Sequence, residues 1–299
     1  MSTTLPPTIP FYEKEYLDVL QKIIDHGFET PDRTGTGIRM LPGITLKYDI
    51  SENQLPLWTT RKLKWQNQFI ELIWFLNGRT DVKYLQERSV RIWDSWVQPL
   101  GVRDAGTIGP GYGKQWRKWD AVREIVDGSC EQNLEKYTID QFANLIAGIK
   151  ASPYSRRHIV TLWNPADVGN CILPPCHGNV IQFVVDPQKG LHCLQYQRSA
   201  DMPLGYCPWQ YTMLTHIVAK LCGLRPASLT VTVGNAHVYD NQVEKVKLQL
   251  ARQFAASLTP TFHINKSITT IDDVCKLEID DVEVKGYSPQ PFISIPVSV

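Results

Sequence analysis

Asn67-Gln68-Phe69-Ile70-Glu71-Leu72-Ile73-Trp74-Phe75-Leu76 is apolar around nearly its whole circumference when wound as a helix, so it belongs inside a layered structure and not on its surface. Glu71 is carried inside with it, and a buried carboxylate needs either a partner or a task. Upstream, Leu17, Leu20, Ile23 and Ile24 recur at helical spacing between Tyr16 and His26, with Gly27 as a stop signal. The polar turn Asp32-Arg33-Thr34-Gly35-Thr36-Gly37 then leads into a strand over 38–49. Downstream, the apolar runs at 158–163, 180–185, 191–196 and 229–233 have strand length and β-branched content, with turn residues Asp186-Pro187 and Lys189-Gly190 between two of them. Met213, Leu214, Ile217, Val218 and Leu221 place a second buried helix between Trp209 and Leu221. Helices thus alternate with a sheet-rich second half, a mixed α/β (α+β) fold. No repeat, low-complexity linker or domain boundary divides the chain, and the acidic stretch 120–137 reads as an irregular surface insertion.

With 299 residues and 43% hydrophobic content, the chain can bury one large core. A net charge of +1 supplies no global field for nucleic acid or a membrane surface, so an anionic partner must be met by a local cluster. Seven cysteines, an odd number without CxxC spacing, argue against a disulfide framework and a zinc site. No run reaches the roughly 18 apolar residues of a membrane span, and the start lacks a basic segment followed by an apolar one. A cytoplasmic, metal-free protein is expected.

In Leu173-Pro174-Pro175-Cys176-His177, two prolines fix the backbone just before a thiol, the rigid placement a nucleophile requires. Alone, the motif suits a small buried cysteine equally well. Arginines recur in short polar clusters: Arg33 in the glycine turn, Arg156 and Arg157 after Ser155, and Arg198 in Gln197-Arg198-Ser199-Ala200-Asp201. Their forked donors match phosphate oxygens, although surface ion pairing is the commoner use of any single cluster.

Taken in order, PDRTGTG at 31–37, ELIWFLNG at 71–78, RIWDSW at 91–96, GPGYGKQWRKW at 109–119, SRRHIVTLWN at 155–164, LPPCH at 173–177, QRSADMPLG at 197–205, HVY at 237–239 and the ending GYSPQPFISIPVSV resemble the thymidylate synthase family. The resemblance implies a single catalytic domain over 1–299. Its large twisted mixed sheet would be covered by helices and stack back to back with a second copy in a homodimer. Residues 287–299 would form a C-terminal lid. It implies a nucleotide and 5,10-methylenetetrahydrofolate as small-molecule partners, with no nucleic acid. Cys176 would add to C6 of the pyrimidine, its thiolate favoured by Arg198. Glu71 would organise proton transfers, and Tyr112 would help to remove the C5 proton. Arg33, Arg198 and Ser199 would hold the 5′-phosphate, with Arg156 and Arg157 reaching in from the other subunit. His237 and Tyr239 would bind the 3′-hydroxyl. Asp201 would hydrogen-bond the pterin, with Trp93, Trp96, Leu173, Gly205 and the tail ending at Val299 around the folate.

The chain also leaves the family's pattern. The asparagine that follows the QRSxDxxLG motif, and that selects uracil over cytosine, is missing from Leu204-Gly205-Tyr206-Cys207-Pro208-Trp209-Gln210-Tyr211, a loop about two residues shorter than usual. One residue more than usual follows Cys176, which implies a strand bulge beside the nucleophile. Asn179, or second to it Gln210, is expected to take over the base contact. Gly234-Asn235 replaces the family's Gly-Asp, and Lys64 stands where bacterial members have histidine. The specialised relatives are the pyrimidine-nucleotide hydroxymethylases, typical of viruses, in which case the compartment would be the host cytoplasm. Hydroxymethylation of dUMP is the expected reaction, dTMP synthesis the first alternative and hydroxymethylation of dCMP or CMP the next. A Cys–His hydrolase is disfavoured because adjacent side chains on a strand face opposite ways; a non-catalytic nucleotide binder is the remaining alternative.

Overall fold

A computed structural model describes residues 11–97, 106–125, 133–252 and 259–298. In chain order it runs α1 (Phe11–His26), β1 (Phe28–Thr30), β2 (Ile38–Asp49), α2 (Trp65–Leu76), α3 (Lys83–Glu87), α4 (Asp94–Val97) and α5 (Gly113–Arg117). There follow β3 (Trp119–Ile125), β4 (Asn133–Ile139), α6 (Gln141–Ala151), β5 (Ile159–Thr161), β6 (Val180–Val185) and β7 (Gly190–Asp201). The chain continues through α7 (Pro208–Cys222), β8 (Arg225–Tyr239), α8 (Val243–Leu250), β9 (Thr261–Ile264), α9 (Ile271–Cys275) and β10 (Val282–Lys285).

Six strands form one sheet in the order β1-β2-β8-β7-β6-β5. Only β7 and β8 within it run parallel, which makes the sheet mixed, and the long crossover between them is α7. Alternation sorts the residues to two faces. Leu46 and Tyr48 on β2, Leu229, Val231 and Val233 on β8, Cys193 on β7 and Ile181 and Phe183 on β6 are buried on the inner face. On the outer face Val180, Val184, Leu194 and Tyr196 are exposed, each above 40%.

The inner face is covered by α1 and α7, and α2 packs in turn against α7. The all-round apolar reading of 67–76 holds, and Trp65 adds to it: from Phe69 to Leu76 every residue of α2 is buried, Glu71 included. Proline at the first turn starts α7, and Gly223, in the left-handed region at φ 65°, ends it. Trp58 joins the layers, stacking on Tyr16 of α1 at 4.1 Å and meeting Trp209 of α7 edge-on at 5.6 Å. Such aromatic contacts add to the burial of their area. The N-terminal helix is pinned from beneath: Glu13, wholly buried, accepts from the backbone and hydroxyl of both Thr59 and Thr60 at 2.6–2.8 Å.

Two readings of the sequence change. The stretch 120–137 is not irregular at its ends, because β3 and β4 pair as an antiparallel ladder from Trp119↔Ile139 to Ile125↔Asn133. The expected strand bulge after Cys176 is absent as well: β6 pairs with β7 in unbroken register from Val180 to Val185. The chain instead bends before the strand, at Gly178, where φ is 65°.

Candidate active site

The site lies at the carboxyl ends of the parallel pair β7 and β8, where α2, α7 and the 173–179 turn converge. Asp201 and His237 are cross-strand partners there, as are Ser199 and Asn235. Such ends gather side chains from several elements.

Cys176 sits in a turn, not on a strand. The turn is braced from three sides. The Arg198 guanidinium donates from Nε to the Pro175 carbonyl and from Nη2 to that of Pro174, at 2.9 and 2.8 Å. The Asn179 amide nitrogen donates to the Pro175 carbonyl, and its Oδ1 accepts from the Arg198 backbone, both at 2.9 Å. Tyr112 completes the frame: its hydroxyl accepts from the Cys176 backbone at 3.0 Å and lies 3.5 Å from Sγ. Tyr112 itself holds a left-handed φ of 39°, a conformation costing about 1–3 kcal/mol for a side chain of its kind. Stacking on Phe75 at 4.7 Å and an edge contact with Trp93 at 5.8 Å hold it there.

Burial pushes the Cys176 thiol up from its ordinary value, against the Tyr112 hydrogen bond and the Arg198 charge, which both lower it. The expectation that arginine charge favours the thiolate is therefore right in direction but outweighed in the free protein. His177 turns away: its Nδ1 meets the Tyr211 hydroxyl at 2.6 Å, and burial lowers its pKa to about 4. A Cys176–His177 dyad is excluded by that orientation and not by strand alternation. Any Cβ at Gly178 would lie 2.2 Å from the same hydroxyl, so glycine alone fits this turn.

Glu71 is met by two donors. Trp93 Nε1 reaches Oε1 at 2.7 Å and Gln210 Nε2 reaches Oε2 at 2.8 Å. Burial still dominates and raises the carboxyl from 4.5 to about 7. Asp201 reaches about 7 by the same cause, with Oδ2 accepting from Gln242 at 2.9 Å. Its Oδ1 is buried without a partner. A buried acceptor in that state is fitted to a donor from a ligand, and a pterin N–H is such a donor. Gly205 closes the loop under Asp201, donating to its carbonyl at 2.6 Å. Leu173, half-buried, belongs to the same apolar surround as buried Trp93 and partly buried Trp96.

Of the residues expected to meet a nucleotide, His237 is buried, bonded through Nδ1 to Asn235 at 2.9 Å and packed edge-on to Tyr239 at 5.2 Å. Ser199 gives its backbone N–H to the Cys176 carbonyl at 3.3 Å. Arg33 is exposed with its guanidinium 5.6 Å from the Trp96 ring. Arg156 and Arg157 are exposed just before edge strand β5, away from the Cys176 turn, and the Arg156 carbonyl holds the outer-face Gln182 at 3.2 Å. Among the described residues none of Arg33, Arg156, Arg157 and Arg198 pairs with a carboxylate, so surface ion pairing does not account for them.

The tail docks onto this end. Gln242, fully buried, donates to both Asp201 and the Pro296 carbonyl and accepts from the Tyr239 backbone, while Asn241 bonds Ser298 at 3.2 Å. Val299 lies outside the described residues. Sequence reasoning missed Gln242, which follows HVY at a spacing no motif marks, and missed Tyr211 as the partner of His177. Among the described residues no group of three or more His, Cys, Asp and Glu could hold a metal, and no helix is long and apolar enough to cross a membrane. Residues 14–299 match the family model described as thymidylate synthase.

Proposed function

The chain belongs to the thymidylate synthase family, enzymes that transfer one carbon from methylenetetrahydrofolate to C5 of a pyrimidine nucleotide, and we propose that this member makes a 5-hydroxymethyl nucleotide, with dUMP as its substrate. The observation that carries the chemistry is Cys176, held in a turn whose backbone is bonded by Arg198, Asn179 and Tyr112. Its sulfur forms a bond to C6 of the pyrimidine, and the C5=C6 electron pair moves toward C5 and O4. Phosphate bound beside Arg198 would keep the guanidinium ordered over the turn. The thiol proton passes to water as the nucleotide arrives, the Tyr112 hydroxyl and Arg198 charge stabilising the sulfur anion.

Folate would supply a carbon at the oxidation level of formaldehyde; Trp93, Trp96 and Leu173 would flank it, and the unpartnered Oδ1 of Asp201 would accept from a pterin N–H. Once C5 bears that carbon, the C5 proton would pass to a water held by the Tyr112 hydroxyl, and the bond from the carbon to the folate nitrogen would break, so that tetrahydrofolate leaves and an exocyclic methylene remains on the ring. Glu71, with a pKa near neutrality, holds or releases a proton at the O4 side of the ring. Water then adds to the exocyclic methylene, the C6–sulfur bond breaks and Cys176 is regenerated.

Hydroxymethylation is favoured by the altered base loop, in which Gln210 stands against Glu71 where the family's asparagine is missing. A second reading, methylation to dTMP, is favoured by Trp93 and by the tail docked through Gln242, which together would exclude water from the intermediate. The homodimer belongs to the same proposal. The outer sheet face carries Val180, Val184, Leu194 and Tyr196 exposed side by side on β6 and β7, and the unpaired Arg156 and Arg157 stand at its rim, where they would reach a partner's site. The product from dUMP or dCMP with methylenetetrahydrofolate, weighed by mass spectrometry, tests the reading: a 5-hydroxymethyl nucleotide with tetrahydrofolate supports it, and a methyl product with dihydrofolate replaces it with the second.

A further inference from the structure

Glu71 has two hydrogen-bond donors of different origin. Trp93 comes from RIWDSW, a motif shared with the family. Gln210 comes from the stretch 204–211 in which this chain departs from it. The shorter loop starts α7 at Pro208, so Gln210 falls in the first turn of a helix of 15 residues and faces α2 directly. Its side chain is 2% exposed, and its amide nitrogen donates both to Glu71 Oε2 at 2.8 Å and to the Gln68 backbone carbonyl at 3.2 Å.

A backbone carbonyl only accepts, so the Gln68 contact fixes which end of the amide is nitrogen. The orientation of Gln210 therefore does not depend on the protonation of Glu71. Each carboxylate oxygen is then held by its own N–H group, Oε1 by Trp93 and Oε2 by Gln210, and rotation of the carboxylate would break both bonds. We propose that Gln210 is the positioning residue of Glu71: from helix α7 it locks the carboxylate's orientation and favours its ionised form. The free Oε1 of Gln210 has no partner among the described residues, which leaves an acceptor beside the carboxylate for a ring N–H or exocyclic amine.

The other titratable groups that sense Glu71 are Cys176, Cys207 and Tyr211, each with its pKa raised by burial, so all three stay neutral near pH 7 and leave the local charge to Glu71. An N–H bond to a carboxylate is worth enough to move its titration by about one pH unit. The role of Glu71 toward the base rests on the reaction proposed above; the clamp does not.

The test compares wild type with Gln210→Met, which keeps the shape and removes the donor, and with Gln210→Asn, which keeps the amide one methylene short. Glu71 is titrated by its carboxyl infrared band, assigned as the band lost in Glu71→Gln. The proposal expects the midpoint to rise by about one pH unit in Gln210→Met and by less in Gln210→Asn. The pH dependence of tritium release from 5-tritiated dUMP should shift the same way, with a fall in kcat of about tenfold and little change in KM. An unchanged Glu71 midpoint in both variants overturns the proposal. If Gln210→Met does not fold, the asparagine variant alone decides by the same midpoint. Absence of tritium release from wild type, with the midpoint still shifted, would overturn the reaction and leave the clamp standing.

Discussion

The turn that carries Cys176 and the segments that carry Arg33, Arg156 and Arg157 are built on opposite terms. In the turn, the Pro174, Pro175 and Cys176 carbonyls, the Cys176 N–H and the Arg198 N–H all have partners within 3.3 Å. In the arginine segments no guanidinium meets a carboxylate among the described residues, and all three side chains are exposed. The first region is organised before any ligand arrives; on the proposed reading the second is completed by one. Reactive groups gain from being fixed in advance, because orientation is then not purchased during the reaction. Groups that bind a dianion gain from being unpaired, because no existing partner must be displaced.

Removing the fixed nucleophile should have the largest effect. Cys176→Ser is expected to lower turnover by at least about a thousandfold while nucleotide still binds; turnover within tenfold of wild type would break the comparison at its stronger end. Next is the stability held in Glu71. Its folded pKa is raised to about 7 from 4.5, so the stability of the buried neutral acid is present below about pH 4.5 and is lost as pH rises toward 7. Glu71→Gln does not titrate. Thermal melts should therefore show the variant gaining on wild type by about 3 kcal/mol between pH 4.5 and 8, and parallel curves would deny the burial cost.

The arginine segments are sharpened by Arg156→Ala with Arg157→Ala. Nucleotide affinity should fall roughly 10- to 100-fold, with no loss of melting temperature, since neither side chain holds the fold together. Mixing that protein with Cys176→Ser should restore activity, because each mixed dimer would have one site with both its cysteine and its partner's arginines. No recovery on mixing would return Arg156 and Arg157 to their own subunit. The smallest effect is expected at Asn179. Asn179→Ala leaves the Arg198 N–H without its partner and the Pro175 carbonyl with the Arg198 guanidinium alone, which should cost about 1–2 kcal/mol in stability, with nucleotide affinity falling less than about tenfold. A larger loss of affinity in a variant of unchanged stability would make Asn179 the reader of the base, as the sequence suggested.

That last case shows where the sequence could be read and where it could not. Periodicity was enough for α2, α7 and β6, because burial on one or all sides leaves its mark on every third, fourth or second residue. Motif order was enough to name Cys176, Glu71, Tyr112 and Asp201, which the fold brings to one end of the sheet. What periodicity cannot carry is the direction of a short polar side chain. Asn179 sits where a base reader was wanted, yet its amide is spent on Pro175 and Arg198. Gln210 was second choice in the sequence and is the one beside the carboxylate. The strand bulge failed for a related reason: one glycine at φ 65° turns the chain ahead of β6, and the ladder runs on undisturbed. Gln242 and Tyr211 were invisible because their partners lie 41 and 34 residues away in the chain.

The most direct test is the mass of the protein after incubation with a 5-fluoropyrimidine deoxynucleotide and methylenetetrahydrofolate, since fluorine at C5 cannot leave as a proton and holds the covalent adduct. The account predicts an adduct carrying both nucleotide and folate, located by proteolysis on the peptide that contains Cys176 and missing in Cys176→Ser. An unmodified Cys176 peptide, or an adduct that survives Cys176→Ser, would contradict it.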